Sequence, residues 1–234
     1  SGERQPVQVR ATLEPDVAHD LVLVTVLAPQ VDAVLPALRA SAARSVMFMF
    51  NTFEPLTRLR EAVGADRFHF GFPGGVFALL ADGLLRPQIR RGTTVDDAAI
   101  AKLLTTAGIP TEVEPDMHTW LRSHAALVAP LMAIGTLVAR RGAGVSWREA
   151  DAYAHAMAAG FAVVRGLGHA ITPAAVHTLS RLPRLLTRAL LWAMSRTRML
   201  RELGQLGAAE PRMLIDMMTA AAPGQTAALL AVRP

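Results

Sequence analysis

Three polar side chains lie where a folded chain commonly binds a ligand. Asn51 directly follows residues 45–50, an apolar segment that predicts a buried strand. In a parallel sheet, ligands bind beyond the carboxyl ends of the strands, which is where Asn51 would lie. Further along, His118 and Arg122 are one helical turn apart and share a face of a predicted helix. There, an arginine can clamp a carboxylate and a histidine can donate a proton near neutral pH.

Each of these residues also has an ordinary structural explanation, and the sequence leaves both interpretations open. Asn51 could be a turn or cap residue in front of Glu54. Arg122 could be a surface or interdomain arginine, and His118 could be an ordinary histidine on a helix surface.

Several chemistries are excluded or disfavoured by composition and spacing. The chain has no cysteine, so disulfides, a thiolate nucleophile and a cysteine metal site are ruled out. The remaining histidines are scattered without metal-ligand spacing, so we expect no metal. H-E-x-x-H, the P-loop and G-x-S-x-G are all absent.

Composition indicates a globular protein of two domains. Of the 234 residues, 52% are hydrophobic and 18% are charged, enough to build a sizeable core. Residues 1–117 hold 11 Lys and Arg against 14 Asp and Glu, whereas the rest hold 13 against 5. This asymmetry favours two domains. A solvated, arginine-rich surface explains the basic half better than nucleic acid or anionic lipid, so we expect neither partner.

The terminal and apolar segments favour a cytoplasmic location. Residues 1–10 are polar and do not resemble a signal peptide. The longest apolar segment, 125–139, contains Pro130 and Gly135 and is shorter than the roughly 20 residues that a membrane span needs. We therefore expect a buried core helix there.

The fold class expected from the hydrophobic pattern is α/β plus all-α: a parallel sheet domain over 1–115 followed by a helical domain over 116–234. Strands are expected at 21–26, 45–50, 68–72, 76–80, 86–89 and 111–113, with a turn at Asp82-Gly83, and helices at 29–44, 54–63 and 95–107. Thr94 is the expected cap of the last of these helices.

The second half shows only helical start signals. Asp116 is expected to cap a helix to about Val138, and Ser146 with Glu149 forms a capping-box pattern for a helix to about Leu167. Thr172-Pro173 predicts another start, with a helix that continues past a break at Pro183 to about residue 203. A final helix is expected over 210–221.

Two stretches together resemble the ketopantoate reductases (2-dehydropantoate 2-reductases). Residues 20–38 begin D-L-V-L-V-T-V-L-A-P-Q, similar to that family's D-L-V-x-V-x-V-K-A-x-Q, and residues 46–56 resemble its apolar strand ending in Gln-Asn-Gly. The likeness continues through Ala81-Asp-Gly83, Arg91-Gly92 and Trp120, which matches a tryptophan that opens the family's helical domain. It covers about residues 7 to 140.

The resemblance implies an incomplete Rossmann-type NADP-binding domain, a helical second domain, and hydride transfer from the nicotinamide to a 2-oxo acid. It implies cofactor binding by Gln30 and Asn51 and substrate binding by Asn51 and Arg122. Gln30 could instead be a polar residue that only starts a helix. A homodimer is a further possibility, since the arginine- and leucine-rich residues 181–201 suit an amphipathic interdomain or dimer helix better than a membrane or nucleic-acid surface.

The dinucleotide fingerprint of such a domain does not occur in this sequence. No strand is followed by G-x-G-x-x-G, and Gly71, Gly74 and Gly75 fit no strand-to-helix pattern. We expect a Gly-rich first unit upstream of Ser1; the alternative is that the protein lacks one.

Several residues depart from the family's pattern. Arg122 stands where the resemblance implies a catalytic lysine, Ala126 where it implies that lysine's partner asparagine, and Leu27 replaces a further lysine. Lys102, the only lysine of the chain, is on another predicted helix. Ser180 and Glu202 match the family's substrate-binding Ser and Glu by type alone. His118 is the candidate replacement acid beside Arg122.

Two functional hypotheses follow from these departures. One is an NAD(P)H-dependent reductase of a 2-oxo acid with an altered active site. The other is a degenerate, non-catalytic relative that binds a nucleotide or a protein partner.

Overall fold

The computed structural model describes residues 6–81, 84–89 and 91–234, so the predicted turn at Asp82-Gly83 lies outside the described residues. The chain divides into two compact units. The sheet unit comprises Ser1–Phe50 and Leu56–Pro115, and the helical unit comprises Asn51–Pro55 and Asp116–Pro234. The sequence does not predict that residues 51–55 group with the helices.

The sheet unit is built on five strands in the order β1-β2-β3-β6-β7. Its strands are β1 (Val22–Val24), β2 (Val46–Met49), β3 (Phe68–Pro73), β6 (Thr93–Val95) and β7 (Thr111–Val113). All four residues of β2 are buried, as expected of an apolar strand covered on both faces. The remaining strands, β4 (Val76–Ala81) and β5 (Leu84–Ile89), pair separately in antiparallel fashion.

The sheet is parallel, as expected, except at one pairing, which involves a strand that the sequence did not predict. Strands β1, β2 and β3 are parallel, but β6 runs antiparallel to β3, and β7 is parallel to β6. The reason is the connection: the chain leaves β3 through the β4–β5 hairpin rather than a crossover helix. Gly71 lies opposite Val95, and a Cβ on Gly71 would lie 2.9 Å from Val95 Cγ1. The close pairing of β3 with β6 therefore requires a glycine at position 71, because a side chain there would clash with Val95.

Three helices accompany the sheet: α1 (Val31–Ala40), α2 (Thr57–Val63) and α3 (Ala98–Thr106). Helix α1 buries Val31, Leu35 and Leu38, the apolar face that the spacing predicts. The predicted cap of α3 is wrong, because Thr94 lies in β6. Asp97 caps the helix instead, and its carboxylate accepts from the backbone N–H groups of residues 99 and 100.

The helical unit contains seven helices among the described residues. They are α4 (Met117–Arg141), α5 (Trp147–Gly166), α6 (Ala174–Leu179), α7 (Arg184–Met194), α8 (Arg198–Gly204), α9 (Ala209–Ala221) and α10 (Ala227–Leu230). The predicted caps of α4 and α5 are present, since Asp116 accepts from the Thr119 N–H and Ser146 forms a capping box with Glu149.

The long helix expected from residue 173 to about 203 is three helices. The predicted break at Pro183 is present: the first helix ends at Leu179, and α7 starts directly after Pro183. Thr172 is not a cap, because Pro173 precedes the first residue of α6 and no side chain caps that helix. A second break falls before α8, where Thr197 accepts from the Leu200 N–H.

Helix α4 is the central element of this unit and packs against α5, α8 and α9. By length and composition it is the one described helix that could cross a membrane, yet 72% of its most apolar window is buried inside the protein. The predicted fold class, a Rossmann-like α/β domain followed by a helical domain, is confirmed.

Candidate functional site

A polar cluster forms where the amino-terminal half of α4 meets the loop after α5. Gly168, with a φ of +81°, turns the chain out of α5 and brings His169 back against α4. His169 Nδ1 lies 2.8 Å from Thr119 Oγ1, and His169 Nε2 lies 2.9 Å from Arg122 Nη1. Two turns of α4 thus hold one imidazole through both of its nitrogens.

The contact with Arg122 fixes the tautomer of His169. A guanidinium can only donate hydrogen bonds, so His169 Nε2 must be the acceptor and carry no hydrogen. In the neutral ring the hydrogen is then on Nδ1, which donates to Thr119 Oγ1. Partial burial and the neighbouring Arg122 lower the pKa of His169, while Asp116 opposes them. The neutral state that the geometry requires is therefore also the electrostatically favoured one.

Arg122 is a buried cation whose partners are all neutral. It is 7% exposed, and its guanidinium carbon lies 5.1 Å from the centre of the Phe53 ring. Its Nε has no hydrogen-bond partner, and in the described part of the chain no carboxylate forms an ion pair with it. Burial lowers the pKa of Arg122, yet a guanidinium remains protonated at neutral pH. Such a site favours an incoming anion.

His118 lies beside this cluster in a neutral state. Its ring centroid is 5.1 Å from that of His169, in an edge-on arrangement. Burial, with Arg122 and His169 adding to it, lowers the pKa of His118 to about 4, against the opposing effect of Asp116. The structure therefore does not support His118 as an imidazolium acid at pH 7. Its buried Nε2 has no partner among the described residues.

Asn51 belongs to a second polar contact of the helical unit. Its Nδ2 donates to Glu210 Oε1 at 2.5 Å, at the first turn of α9. Because a carboxylate accepts only from the amide nitrogen, this bond fixes the orientation of the amide. The buried Oδ1 is left without a partner in the described structure. The turn before Glu54 is made by Thr52, whose Oγ1 accepts from the Glu54 N–H. Asn51 is thus not needed as the turn residue.

Gln30, in contrast, has a structural role in the sheet unit. Its Oε1 accepts from the Leu27 N–H at 2.9 Å and closes the short 3-10 helix at residues 28–30. This matches the alternative that the sequence left open, a polar residue that starts a helix.

Glu210 and His169 are members of the site that sequence reasoning missed. The two residues proposed by type lie elsewhere: Ser180 contacts Arg165 at 2.6 Å, and Glu202 contacts Arg198 at 2.6 Å. In the sequence, Glu210 is recognisable only as an acidic residue in the first turn of a predicted helix. Its partner Asn51 is 159 residues away, so no local pattern could reveal the pair.

The position of the implied partner asparagine is filled by helix packing. Ala126 is fully buried, and a Cβ on Gly160 of α5 would lie 3.2 Å from the Ala126 Cβ. An asparagine side chain has no room there unless α5 moves away. Lys102 lies exposed on α3 in the sheet unit, so no lysine belongs to the helical unit.

The described residues show neither a metal-binding cluster nor a glycine-rich phosphate-binding turn. Among the described residues, no group of three or more potential ligands could hold a metal ion. Gly71 and Gly74 are needed for close contacts elsewhere: a Cβ on Gly71 would lie 2.9 Å from Val95 Cγ1, and one on Gly74 would lie 2.6 Å from the Gly92 carbonyl oxygen. These glycines do not form a phosphate-binding turn.

The fold is shared with oxidoreductases of known structure, although no family model and no curated protein matches the sequence. A dimeric ketopantoate reductase from Staphylococcus aureus aligns over 93% of this chain and 76% of its own, with a TM-score of 0.62 and 12% identity. The 2-dehydropantoate 2-reductase from Methylococcus capsulatus aligns over 94% and 74%, with a TM-score of 0.66 and 16% identity.

D-mandelate dehydrogenase in complex with NADH is similar over 92% of this chain and 78% of its own, with a TM-score of 0.62 and 12% identity. The class defined by the fold is thus a Rossmann-like α/β domain joined to a helical domain. More particularly, the chain has the ketopantoate reductase fold, and the resemblance expected from the sequence is confirmed at that level.

Proposed function

We propose that the protein is an NAD(P)H-dependent reductase of a 2-oxo acid in which Arg122 takes the place of the lysine expected from the resemblance. The observation that carries this proposal is the state of Arg122: a buried guanidinium that contacts a neutral histidine and an aromatic ring. A 2-oxo acid brings the missing negative charge as its carboxylate. The ketopantoate reductase fold supports the same substrate class.

In this proposal Arg122 binds the substrate carboxylate and stabilises the negative charge that develops on the keto oxygen. The nicotinamide supplies the hydride. Reduction also requires a proton at that oxygen, and neither Arg122 nor His118 suits its delivery. A guanidinium is too weak an acid, and His118 is neutral at pH 7. The proton would then come from solvent, with the alkoxide held by Arg122 until it arrives.

Asn51 is proposed to bind the nicotinamide end of the cofactor. Its free, buried Oδ1 can accept a hydrogen bond from a ribose hydroxyl, and Glu210 keeps that oxygen from turning away. The fit covers only this end, because the sequence has no G-x-G-x-x-G and both Gly71 and Gly74 are needed for close contacts around the sheet. We assign no pyrophosphate site. The preference for NADPH, expected from the resemblance, remains part of the proposal.

The test is a titration with NADPH and NADH followed by turnover assays with ketopantoate and phenylglyoxylate. We expect sub-millimolar binding of one nucleotide and reduction of at least one acid. Arg122→Leu should lower kcat/KM at least 100-fold, the scale seen when one charge-stabilising donor is removed. Arg148→Leu, at an exposed position of α5, is the control and should retain activity.

The alternative is a degenerate relative that binds a nucleotide or a partner without turnover. The replacements at Leu27, Arg122 and Ala126 motivate it. Nucleotide binding without reduction of any 2-oxo acid would favour this alternative, whereas turnover that depends on Arg122 would exclude it.

We also propose a cytoplasmic homodimer, since α7 exposes Leu185, Leu186 and Leu190. Light scattering of the purified protein measures its oligomeric state.

A further inference from the structure

The loop that carries His169 is bound to α4 by three residues of that helix, Thr119, Arg122 and Ser123. Thr119 and Arg122 bind the two nitrogens of His169. The fully buried Ser123 donates from Oγ to the Ala170 carbonyl at 3.3 Å and accepts there from the Thr172 N–H at 3.0 Å. These contacts join segments 47 to 50 residues apart in the chain. His169 is therefore held in place by backbone contacts on its carboxyl-terminal side as well as by its ring.

The bond with His169 occupies only one edge of the Arg122 guanidinium. His169 takes Nη1, while Nε and Nη2, which form the side edge, make no hydrogen bond to any described residue. These two groups are parallel donors with the spacing of a carboxylate's two oxygens. The guanidinium thus has an unpaired two-donor edge, at which Nε is buried, and an opposite corner fixed by His169.

We propose that His169 is a positioning residue that holds Arg122 by its Nη1 corner, so that the Nε–Nη2 edge receives the substrate carboxylate side-on. This inference rests on the proposed function and names the binding mode of the same site. A neutral acceptor suits the task better than a carboxylate would. An Asp or Glu at this place would neutralise Arg122 and compete with the substrate, whereas His169 leaves its full charge available.

Glutamine and asparagine separate this role from general packing. The amide of glutamine reaches the place of the histidine Nε2, and that of asparagine reaches the place of Nδ1. His169→Gln can therefore still accept from Arg122, whereas His169→Asn can contact only Thr119. If His169 merely fills the loop, the two variants behave alike. If it positions Arg122, glutamine rescues binding and asparagine does not.

Oxamate, a stable analogue of a 2-oxo acid, is the probe. Its titration is followed by NMR on the Arg122 Nε–H, whose resonance should shift on binding. We expect His169→Asn and His169→Leu to raise the oxamate Kd about tenfold, which corresponds to the loss of one hydrogen bond. His169→Gln should stay within about threefold of the wild type. The exposed His155 provides the control, and His155→Gln should leave the Kd unchanged.

A spectroscopic readout tests the geometry without any ligand. Imidazole nitrogen shifts should show the wild-type His169 protonated at Nδ1 and unprotonated at Nε2, and Arg122→Leu should remove this preference. Equal oxamate affinities for the glutamine and asparagine variants, or the opposite tautomer, would overturn the inference. Loss of binding in Arg122→Leu together with normal binding in His169→Leu refutes the positioning role alone. Absence of oxamate binding to the wild type refutes the proposed function and the inference with it.

Discussion

Histidine protonation couples the cluster on α4 to the stability of the protein. Burial lowers the pKa of both His118 and His124 to about 4, and His124 also stacks on Trp120 with ring centroids 4.9 Å apart. The unfolded chain binds these protons at the ordinary histidine pKa of about 6.5. Between the two values the unfolded state holds more protons than the folded state, so stability falls as the pH falls.

We therefore expect a stability that is constant above about pH 7 and declines from about pH 6.5 towards 4. Thermal unfolding followed by circular dichroism at several pH values measures this decline. His124→Gln should flatten the slope, because glutamine does not titrate, and His155→Gln should leave it as in the wild type. A melting temperature that does not change between pH 7 and 5 would contradict the expectation.

At the scale of single residues, the sequence reveals side chains whose own neighbourhood marks them. Asn51 follows a buried strand, and Arg122 follows a tryptophan at a characteristic spacing, so both were expected to contribute to a site. Glu210 and His169 were not, because their contacts with Asn51 and Arg122 arise from folding over 159 and 47 residues. Burial also lowers the pKa of His118 to about 4, an effect that the local sequence does not reveal.

Helix α8 crosses α4 at a contact made by two glycines. A Cβ on Gly135 would lie 2.8 Å from the Leu200 carbonyl oxygen, and one on Gly204 would overlap the backbone of Gly135. Only glycine on both helices allows the backbones to approach so closely. The crossing therefore depends on the absence of side chains rather than on their packing.

Gly135→Ala and Gly204→Ala should each lower the free energy of unfolding by about 1–3 kcal/mol, the range for overpacked interiors. Gly166→Ala on α5 is the matched control, since its Cβ would meet only Gln225, at 3.7 Å. That change should be neutral or stabilising, because alanine favours the helix. Urea unfolding of the three variants tests the difference. Equal losses at all three positions would show that the crossing is not tightly packed.

At the scale of elements, predictions held where the signal was local. The caps at Asp116 and Ser146 are formed by residues within four positions, and both were identified. Strand β6 was missed altogether, because it is only three residues long, and its direction depends on how the hairpin before it returns the chain. The cap of α3 was misplaced because Thr94 belongs to a strand that pairs with β3.

Over the whole molecule, the division into a sheet domain and a helical domain was predictable from the change in hydrophobic period. The exception is Asn51–Pro55, which groups with the helical unit although it lies between β2 and α2. Its Phe53 is 1% exposed and belongs to the core of the helices. A segment of five residues is too short to show a hydrophobic period, so the sequence does not reveal that it packs with the helices.

A fragment of residues 116–234 should therefore be less stable than its helices suggest. It lacks Phe53, and removal of a buried phenylalanine costs about 3–5 kcal/mol. We expect the fragment to melt early or not to fold cooperatively, as judged by circular dichroism. A peptide of residues 48–58 should raise its melting temperature, and the same peptide with Phe53→Ala should not. A fragment that is fully stable by itself would contradict this placement.

The same segment limits how the two halves can be exchanged during evolution or in engineering. The chain passes between the units three times, after residues 50, 55 and 115. A single cut in the chain therefore does not separate the sheet unit from the helical unit. A chimaera joined at residue 115 inherits Asn51 and Phe53 from one parent and Glu210 and Arg122 from the other. Recombinants that keep these four residues from a single parent are the ones expected to retain both fold and binding.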